Sequence, residues 1–418
     1  MRNMIICSLF LLLPFPVLGN SIFGIVPAST APIVLAQSGG ASSLSYTVTN
    51  NTNKSSINNI TIDPSYGLPS NEVSVSVTGN TCAGALAVGA TCTFSLAIQA
   101  LSSSVGVSLS PRVCGFSGAI CSTPVASNRV SVTSLNQRLF TYIASPPSVV
   151  YICPTNNDGT FGACTTTTCS GTVNIPVGAN LNPANTILYV SNVGNSTVSI
   201  CPVNSDGTLG TCTTSTGSAT FSNPSQVVFN PLGTFAYVVN FANSSLSLCP
   251  VNSDGTFGVC TVSTANGSLA SPEGGAVNPA GTLLYVCNAA SNTVTRCPIN
   301  SDGSLGVCTA ATGSPVFSNP SGIAFNPSGT IAYITNNGGL TTAICPVNSD
   351  GSFGTCAAST AVSTPLGIDL NATGNFALIS SGSSTVTDCP INSDGTFGTC
   401  TTTSGFTSAY RLTVGLIG

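Results

Sequence analysis

A twelve-residue segment bounded by two cysteines recurs six times in the chain. One copy reads Cys201-Pro-Val-Asn-Ser-Asp-Gly-Thr-Leu-Gly-Thr-Cys212, and the others begin at Cys153, Cys249, Cys297, Cys345 and Cys389. Four of the five steps between successive copies are 48 residues long and the fifth is 44. A regular period of this size indicates stacked supersecondary units, each of which buries its apolar face against its neighbours.

Each copy is predicted to be a β-hairpin, because the Asp206-Gly207 pair at its centre is favoured in tight turns. A two-residue turn places Cys201 opposite Cys212, whereas a three-residue loop, 205–207, places Cys201 opposite Thr211. The identical cysteine spacing favours a hairpin closed by a disulfide. We therefore expect the disulfides Cys153–Cys164, Cys201–Cys212, Cys249–Cys260, Cys297–Cys308, Cys345–Cys356 and Cys389–Cys400.

A calcium site is the alternative interpretation of the turn sequence. Calcium needs six to eight oxygen ligands, usually from several carboxylates. The turn 204–207 offers a single carboxylate, from Asp206, beside a glycine that the turn itself requires. The interpretation is a turn without metal, and no metal site or cofactor is expected elsewhere in the chain.

A second constant pattern lies between the hairpins and supplies two further strands per unit. It spans residues 223–240, recurs at 319–336 and, more loosely, at 271–288. One unit then holds four strands, at about 224–230, 234–240, 244–252 and 258–264. Four short antiparallel strands repeated radially predict an all-β propeller.

The two ends of the repeat region predict how the propeller closes. The region opens at Leu139–Ser145 with a strand of the second type and ends at Ser408–Leu416 with an unmatched strand of the first type. Together they complete one blade. The prediction is a six-bladed β-propeller over residues 137–418, with the C-terminal strand innermost in the first blade and no open sheet edge between first and last blades.

The first nineteen residues have the pattern of a secretory signal peptide. A short basic start precedes an apolar run from Met4 to Leu18 and a small-residue exit at Gly19. No later stretch is apolar for long enough to form a transmembrane helix. Regular cysteine pairing also indicates an oxidising compartment. We expect a protein that is secreted, periplasmic or displayed on the cell surface.

Residues 20–135 do not share the repeat and are predicted to form a β-sandwich, because strand patterns such as 43–48 and 72–77 alternate between turn-rich joints. Residues 80–94, Asn-Thr-Cys-Ala-Gly-Ala-Leu-Ala-Val-Gly-Ala-Thr-Cys-Thr-Phe, resemble a segment of immunoglobulin-like domains of bacterial exported proteins. Four cysteines allow three connectivities. The local pairings Cys82–Cys92 and Cys114–Cys121 are preferred.

The repeat itself resembles that of the YVTN and lactonase-like propeller families. The resemblance rests on Pro320-Ser-Gly-Ile-Ala-Phe-Asn-Pro-Ser-Gly-Thr-Ile-Ala-Tyr-Ile-Thr-Asn336, followed by Asn348-Ser-Asp-Gly-Ser-Phe-Gly354. Those families usually have seven blades and lack the paired cysteines, so the kinship is one of repeat type. The resemblance implies a site at the mouth of the central channel, with arginine, histidine or acidic groups nearby.

The chain has no histidine, which excludes histidine-based acid–base catalysis, a Ser-His-Asp triad and histidine-ligated zinc. No catalytic residue is assigned. The candidates for a polar ligand site are Glu273, Gln226, Asp369, Tyr410 and Arg411. Glu273 is predicted at the channel mouth, and Asp369 and Arg411, on adjacent innermost strands, could pair. The favoured interpretation of these residues is a solvated carboxylate with a structural channel ion pair, and the polar ligand site is the alternative.

The amino-acid composition limits the classes of partner that we expect for this protein. With seven Lys/Arg and eleven Asp/Glu, the chain has no basic patch for nucleic acid or anionic lipid. It has no tryptophan for stacking on sugars, and its repeated tyrosines, such as Tyr237, are predicted to be core residues. Two cysteines are left over: Cys287 at a small, core-like position and Cys169, which is expected to be exposed and free for intermolecular linkage.

The interpretation of function is an exported binding or interaction module without enzyme activity, with a protein or a small extracellular ligand as partner. One alternative is a lactonase-like hydrolase, in which Glu273, Asp369 and Arg411 would converge at the channel mouth. Another is a structural surface or adhesion protein.

Overall fold

The computed structural model describes residues 22–418 apart from 32, 36–40, 54, 69–72, 101–105, 135–137, 312–316, 360–361 and 363. The chain forms two compact units, 1–136 and 137–418. The predicted signal peptide, 1–19, lies outside the described residues. Among the described residues there is no α-helix, only short 3-10 turns at Ala126–Asn128, Cys169–Gly171 and Ala265–Gly267, and none is long and apolar enough to cross a membrane.

The first unit contains ten described strands. They are β1 (Phe23–Pro27), β2 (Ile33–Leu35), β3 (Ala41–Asn50), β4 (Thr61–Asp63), β5 (Val73–Asn80), β6 (Thr91–Ala100), β7 (Gly106–Leu109), β8 (Arg112–Gly115), β9 (Ile120–Ser122) and β10 (Val130–Ser134). They form one four-stranded sheet, β1-β3-β6-β5, and two three-stranded sheets, β2-β10-β7 and β4-β8-β9. The only parallel pair among these described strands is β2 with β10.

One apolar core fills the first unit. Alternate residues of β3 and β6 point into it, and the ring of Tyr46 stacks on that of Phe94 with centroids 5.2 Å apart. Disulfides join Cys82 to Cys92 and Cys114 to Cys121. The unit is therefore all-β with a buried core, and its assignment as an immunoglobulin-like sandwich stays a prediction.

The second unit contains the remaining strands. They are β11 (Arg138–Ser145), β12 (Val149–Thr155), β13 (Thr165–Thr167), β14 (Pro176–Leu181), β15 (Ile187–Asn192), β16 (Thr197–Pro202), β17 (Thr213–Ser215), β18 (Pro224–Phe229), β19 (Phe235–Asn240), β20 (Ser245–Pro250), β21 (Thr261–Ser263), β22 (Pro272–Val277), β23 (Leu283–Asn288), β24 (Thr293–Pro298), β25 (Thr309–Ala310), β26 (Pro320–Phe325), β27 (Ile331–Asn336), β28 (Thr341–Pro346), β29 (Ala357–Ser359), β30 (Gly367–Leu370), β31 (Phe376–Ser380), β32 (Thr385–Pro390), β33 (Thr401–Ser404) and β34 (Leu412–Ile417).

These strands form six four-stranded sheets, which are called blades here. Blade 1 has the order β34-β11-β12-β13, and blades 2 to 6 are β14–β17, β18–β21, β22–β25, β26–β29 and β30–β33. The first strand of each blade contacts that of the next, and β34 contacts both β30 and β14. The second unit is thus an all-β, propeller-like ring around a central channel.

The second strand of each blade is buried on both faces because it lies between the neighbouring blades. In β19 all residues from Ala236 to Asn240 are buried. A strand that is covered on both sides reads as a continuous apolar run and does not alternate with polar residues. This explains the Tyr-Val-Val segment of the repeat.

Ring closure is achieved by the last strand of the chain. β34 pairs antiparallel with β11, from Arg138 opposite Ile417 to Ile143 opposite Leu412. The first blade therefore takes one strand from the C-terminal end and three from the N-terminal end of the unit. No sheet edge is left open between blades 1 and 6, which removes a site for edge-to-edge aggregation.

The hairpins contain all six expected disulfides, each with a sequence separation of 11 and a Cα–Cα distance of 4.2 Å. The predicted link between turn length and register was wrong. The loop has three residues, 205–207, because Asn204 N–H donates to the Thr208 carbonyl and Val203 faces Leu209. Cys201 nevertheless lies opposite Cys212, because the register shifts by one residue between the loop and the disulfide.

The turn aspartate has a structural role in every hairpin. The Thr208 backbone N–H donates to the Asp206 carboxylate at 3.0 Å and the Thr208 hydroxyl at 2.6 Å. These hydrogen bonds, above all the one from the Thr208 hydroxyl, hold the pKa of Asp206 below its ordinary value. Gly207 adopts φ of 84°, which disfavours any residue with a Cβ.

A tyrosine joins each of blades 1 to 5 to the hairpin of the next blade. The Tyr237 hydroxyl donates to the carbonyl of Gly303 in the following hairpin at 3.0 Å. The same bond links Tyr142 to Gly207, Tyr189 to Gly255, Tyr285 to Gly351 and Tyr333 to Gly395. The predicted core tyrosines are thus confirmed as buried, and their hydroxyls have partners.

The junction between blades 6 and 1 differs from the other five. Leu378 occupies the tyrosine position, and Asp388, opposite it in β32, packs against the turn glycine Gly159. Asp388 is buried and its Oδ1 has no hydrogen-bond partner among the described residues. Burial, and then the charge of Asp158, raise the pKa of Asp388 to about 6.

The tyrosine bonds yield a stability prediction. We expect Tyr237→Phe to lower the free energy of unfolding by about 1–3 kcal/mol, because it leaves the buried Gly303 carbonyl without a donor. Chemical denaturation measures the change. The matched control is Tyr66→Phe, since the Tyr66 ring is 43% exposed. Equal effects of the two substitutions would contradict the role given to the buried bond.

Asp388 yields a prediction for pH. Its folded pKa of about 6 lies above the unfolded value of about 3.9, so its contribution to stability is complete below pH of about 4 and is lost as the pH rises through about 6. Asp388→Asn should therefore reduce the fall in melting temperature between pH 4 and 7.5. As the control, Asp394→Asn should leave the slope over this range nearly unchanged, because hydrogen bonds from Thr396 lower the pKa of Asp394 and its contribution to stability is lost only as the pH falls below about 4. An unchanged slope in Asp388→Asn would refute this assignment.

Candidate functional site

A β-bulge presents one residue of the innermost strands at the channel mouth. The register against the second strand shifts between Pro272 and Gly274, so Glu273 is the extra residue. The same shift occurs at Val177, Ser225 and Ser321. A bulge leaves its extra residue outside the ladder and redirects its side chain. The position after the loop proline is therefore the natural place for a functional group in this repeat.

The next position along the innermost strands is mostly glycine. A Cβ added to Gly322 would lie 2.8 Å from the Leu366 carbonyl oxygen, and one added to Gly367 would lie 2.9 Å from Arg411 Cα. Neighbouring blades thus approach so closely that only glycine fits between them. Gln226 and Arg411 stand at the equivalent position in blades 3 and 1, and their side chains occupy the space that the glycines leave.

An ion pair spans the channel. Arg411 Nη2 lies 3.1 Å from Glu273 Oε2 and 3.1 Å from the carbonyl oxygen of Ser321. Their residues belong to blades 1 and 4, which face each other in a ring of six. The side chain of Arg411 is 5% exposed and that of Glu273 is 21% exposed. Arg411 Nε has no hydrogen-bond partner among the described residues.

The ion pair separates two cavities along the channel. The mouth cavity, of about 400 Å³, lies at the start of the innermost strands and is lined by Glu273, Tyr410 and Arg411. The rear cavity, of about 390 Å³, lies at their other end and is lined by Gln226 and Asp369. The five candidate residues are therefore divided between two places and do not form one cluster.

The expected pair of Asp369 with Arg411 was wrong. The carboxylate of Asp369 instead accepts hydrogen bonds from the Thr413 hydroxyl and the Val414 N–H, both at 3.0 Å, and from the Leu370 N–H at 2.9 Å. Arg411 points toward the opposite blade, because the glycines beside it leave the channel axis open. Only Glu273 and Arg411 of the three proposed catalytic groups converge.

Sequence reasoning missed several residues of the mouth cavity. Asn223 lines it from the entry to β18, and Phe241 and Asn337 line it from loops that follow second strands. Phe241 is 41% exposed. Phe241 and Asn337 could have been recognised from their position in the repeat. Each directly follows the constant asparagine that ends a second strand, at a position that varies between repeats.

Cys169 is buried, which corrects the expectation that it is exposed and free for intermolecular linkage. It is 1% exposed and lies against the disulfide of the next blade, Cys201–Cys212, with the three sulfurs within 4.8 Å of one another. Burial raises its pKa to about 12. Cys287 is completely buried, as its small, core-like position predicted, and burial raises its pKa further.

The two free cysteines yield a labelling prediction. We expect neither Cys169 nor Cys287 to react with iodoacetamide at pH 7.5 in the native protein, because burial keeps both as inaccessible thiols. Both should be labelled in guanidinium chloride without reductant, while the sixteen disulfide cysteines stay unlabelled. Peptide mapping by mass spectrometry reads the result. Labelling of native Cys169 would contradict its buried position.

Part of the chain is similar to a known family of propeller repeats. The family described as Lactonase, 7-bladed beta-propeller, matches residues 177–370. The described part of the second unit has six four-stranded sheets, so it differs from the seven blades of that description. No curated protein matches the chain.

Solved structures agree at the level of the fold. A structure of a nidogen/laminin complex matches at 13% identity with a TM-score of 0.51, over 66% of this chain and 98% of that chain. Periplasmic gluconolactonase of Pseudomonas aeruginosa matches at 15% identity with a TM-score of 0.44, over 74% and 95%. A functionally unknown protein from Desulfotomaculum acetoxidans matches at 17% identity with a TM-score of 0.46, over 64% and 80%. The likeness to the nidogen/laminin structure shows the fold alone, and the similarity to the lactonase-like propeller family is limited to residues 177–370.

Proposed function

We propose that the chain is a lactonase-like hydrolase, built on a six-bladed propeller closed by the C-terminal strand, that opens a neutral cyclic ester in the mouth cavity. The observation that supports it most directly is the pair of Glu273 and Arg411, which spans the channel and lines a cavity of about 400 Å³. The match of residues 177–370 to the lactonase family supports the same activity. This replaces the binding module as the preferred function.

The two side chains suit ester hydrolysis. The Glu273 carboxylate accepts a proton from a water molecule as that water attacks the carbonyl carbon. The guanidinium of Arg411 and the hydroxyl of Tyr410 are the nearby donors for the negative charge that develops on the carbonyl oxygen. The ring C–O bond then breaks, and the leaving alkoxide takes the proton that Glu273 holds. No histidine or metal is needed for this sequence of steps.

The charges of the site favour an unphosphorylated substrate. Arg411 is already paired with Glu273, so the two charges at the mouth cancel. Arg296 lies on the third strand of its blade and pairs with Asp350 at 3.5 Å. A phosphate group entering the mouth cavity would find no unpaired cation among its lining residues. We therefore propose an uncharged sugar lactone or a similar cyclic ester.

The binding module remains the second candidate, for one specific reason. Arg411 and Glu273 satisfy each other, and Arg411 also bonds to the Ser321 carbonyl, which is the pattern of a structural channel ion pair. In that case the mouth cavity binds a ligand without converting it. Eight disulfides are consistent with an extracellular protein. Export by the signal peptide, the immunoglobulin-like unit and a surface or adhesion role remain proposals.

The test is hydrolysis of a panel of lactones by the purified, oxidised protein. Glucono-δ-lactone, a γ-butyrolactone and 6-phosphogluconolactone cover neutral and charged rings, and a pH indicator follows the acid released. We expect turnover of a neutral lactone, with kcat/KM reduced by at least about 100-fold in Glu273→Gln, the size typical for a lost general base. The phosphorylated lactone should be the poorer substrate.

The controls separate a catalytic loss from a folding defect. Asp394→Asn removes a carboxylate from an exposed turn and should keep full activity. The melting temperature of Glu273→Gln is measured in parallel, because loss of a buried pair also destabilises the protein. No hydrolysis of any lactone by the folded wild type would overturn the proposal and favour the binding module. Full activity of folded Glu273→Gln would overturn the role of Glu273.

A further inference from the structure

The inward-facing ring of the rear cavity has a polar side and an apolar side, called its polar wall and its apolar wall here, and further polar residues also line the cavity: Asn182, Asn185, Gln226, Asn326 and Asn371. Its ring of inward positions takes one residue from each innermost strand: Asn180, Val228, Ala276, Ala324, Asp369 and Thr413. The three polar residues come from blades 2, 6 and 1, which are neighbours in the ring. The three apolar residues come from blades 3, 4 and 5. A ligand in this cavity therefore meets hydrogen-bonding groups on one side and hydrocarbon on the other.

The polar wall carries one uncompensated negative charge. The three described ion pairs of the chain use Asp63, Asp350 and Glu273, and none involves Asp369. No lysine or arginine lines the rear cavity. Burial raises the pKa of Asp369 to about 6, while hydrogen bonds from Val414 and Thr413 oppose the rise. At neutral pH the group is mainly a carboxylate that lacks a counter-charge.

A second acceptor stands on the same wall. Asn180 Oδ1 is buried and has no hydrogen-bond partner among the described residues. An unpaired buried acceptor costs about 1–3 kcal/mol, so a site of this kind gains from a ligand that brings donors. The other nearby polar group, the Thr413 hydroxyl, already donates to Asp369. The wall thus offers a carboxylate and an unpaired amide oxygen to a ligand that brings donors.

We infer that the rear cavity binds a small organic cation, namely a primary ammonium with a short apolar body. The ammonium group has three donors and no acceptor, which complements Asp369 and Asn180. The apolar body packs against Val228, Ala276 and Ala324. This site is distinct from the mouth cavity, because the Arg411–Glu273 ion pair lies between the two.

A divalent metal suits this cavity less well. Calcium takes six to eight oxygens, usually from several carboxylates, and the lining supplies one carboxylate. The volume of about 390 Å³ is also far larger than a bare ion requires. One charged wall and one hydrocarbon wall match an amphiphilic molecule of several heavy atoms.

The test uses three molecules of the same shape and different charge: isobutylammonium, isobutanol and isobutyrate. Their binding to the full oxidised protein is measured at pH 7.5 by isothermal titration calorimetry. We expect the ammonium compound to bind at least about tenfold more tightly than the other two, and Asp369→Asn to weaken it by at least about tenfold. Affinity should fall as the pH drops through about 6, because protonation removes the Asp369 charge.

Two further variants guard against misfolding and against binding elsewhere. Ala324→Leu fills the apolar wall without touching the carboxylate and should also weaken the ammonium compound. Asp394→Asn, in an exposed turn, should leave its affinity within about twofold. Equal binding of ammonium and alcohol, or ammonium binding that survives both cavity variants, would overturn the inference. Calcium binding that depends on Asp369, without ammonium binding, would also overturn it and assign an inorganic cation.

Discussion

The pairing of β34 with β11 is the constraint on which the second unit depends. These two strands come from opposite ends of the unit, and their hydrogen bonds turn a row of repeats into a ring. Only in a closed ring does every second strand have a neighbouring blade on each side, which the buried runs around Tyr189, Tyr237, Tyr285 and Tyr333 require. The tyrosine bonds and the hairpin disulfides then stabilise a geometry that the last strand has closed.

The same closure determines the chemistry of the channel. Six blades bring the innermost strands so near one another that glycine is needed at Gly178, Gly274, Gly322 and Gly367. Because those four positions have no side chain, the long side chain of Arg411 extends across the axis to Glu273. The ion pair then divides the channel into a nearly neutral mouth and a rear cavity with an unpaired carboxylate. The two cavities therefore differ in charge.

The candidate functional residues lie where the sequence departs from the repeat. Glu273 stands where the other mouth positions are uncharged, and Arg411 and Gln226 stand where the other blades have glycine. Asp369 stands where the other blades have asparagine, threonine, alanine or valine. Asp388 replaces an aliphatic or arginine residue at the one junction without a tyrosine bond. The constant positions of the repeat thus determine the scaffold, and the positions that depart from the repeat supply the charges of both cavities.

The sequence by itself determined the local elements, because their causes are local. The Asp-Gly turns, the Cys-Pro spacing and the Tyr-Val-Val runs predicted hairpins, disulfides and a repeated four-stranded unit, and the unmatched strands at the two ends predicted which strands pair at closure. The one error in the predicted register concerned the three-residue loop between Cys201 and Cys212. It arose because a one-residue shift within the hairpin does not change the spacing of the two cysteines.

Only the tertiary structure decided which charged groups meet. Arg411 and Glu273 are 138 residues apart, and Asp369 lies nearer to Arg411 in sequence and on an adjacent strand. Which of the two carboxylates pairs with Arg411 depends on the empty space above the glycines and on the direction in which the bulge turns Glu273. It also depends on the Thr413 and Val414 donors that hold Asp369 facing the opposite end of the channel. These are properties of the closed ring, and no single repeat contains them.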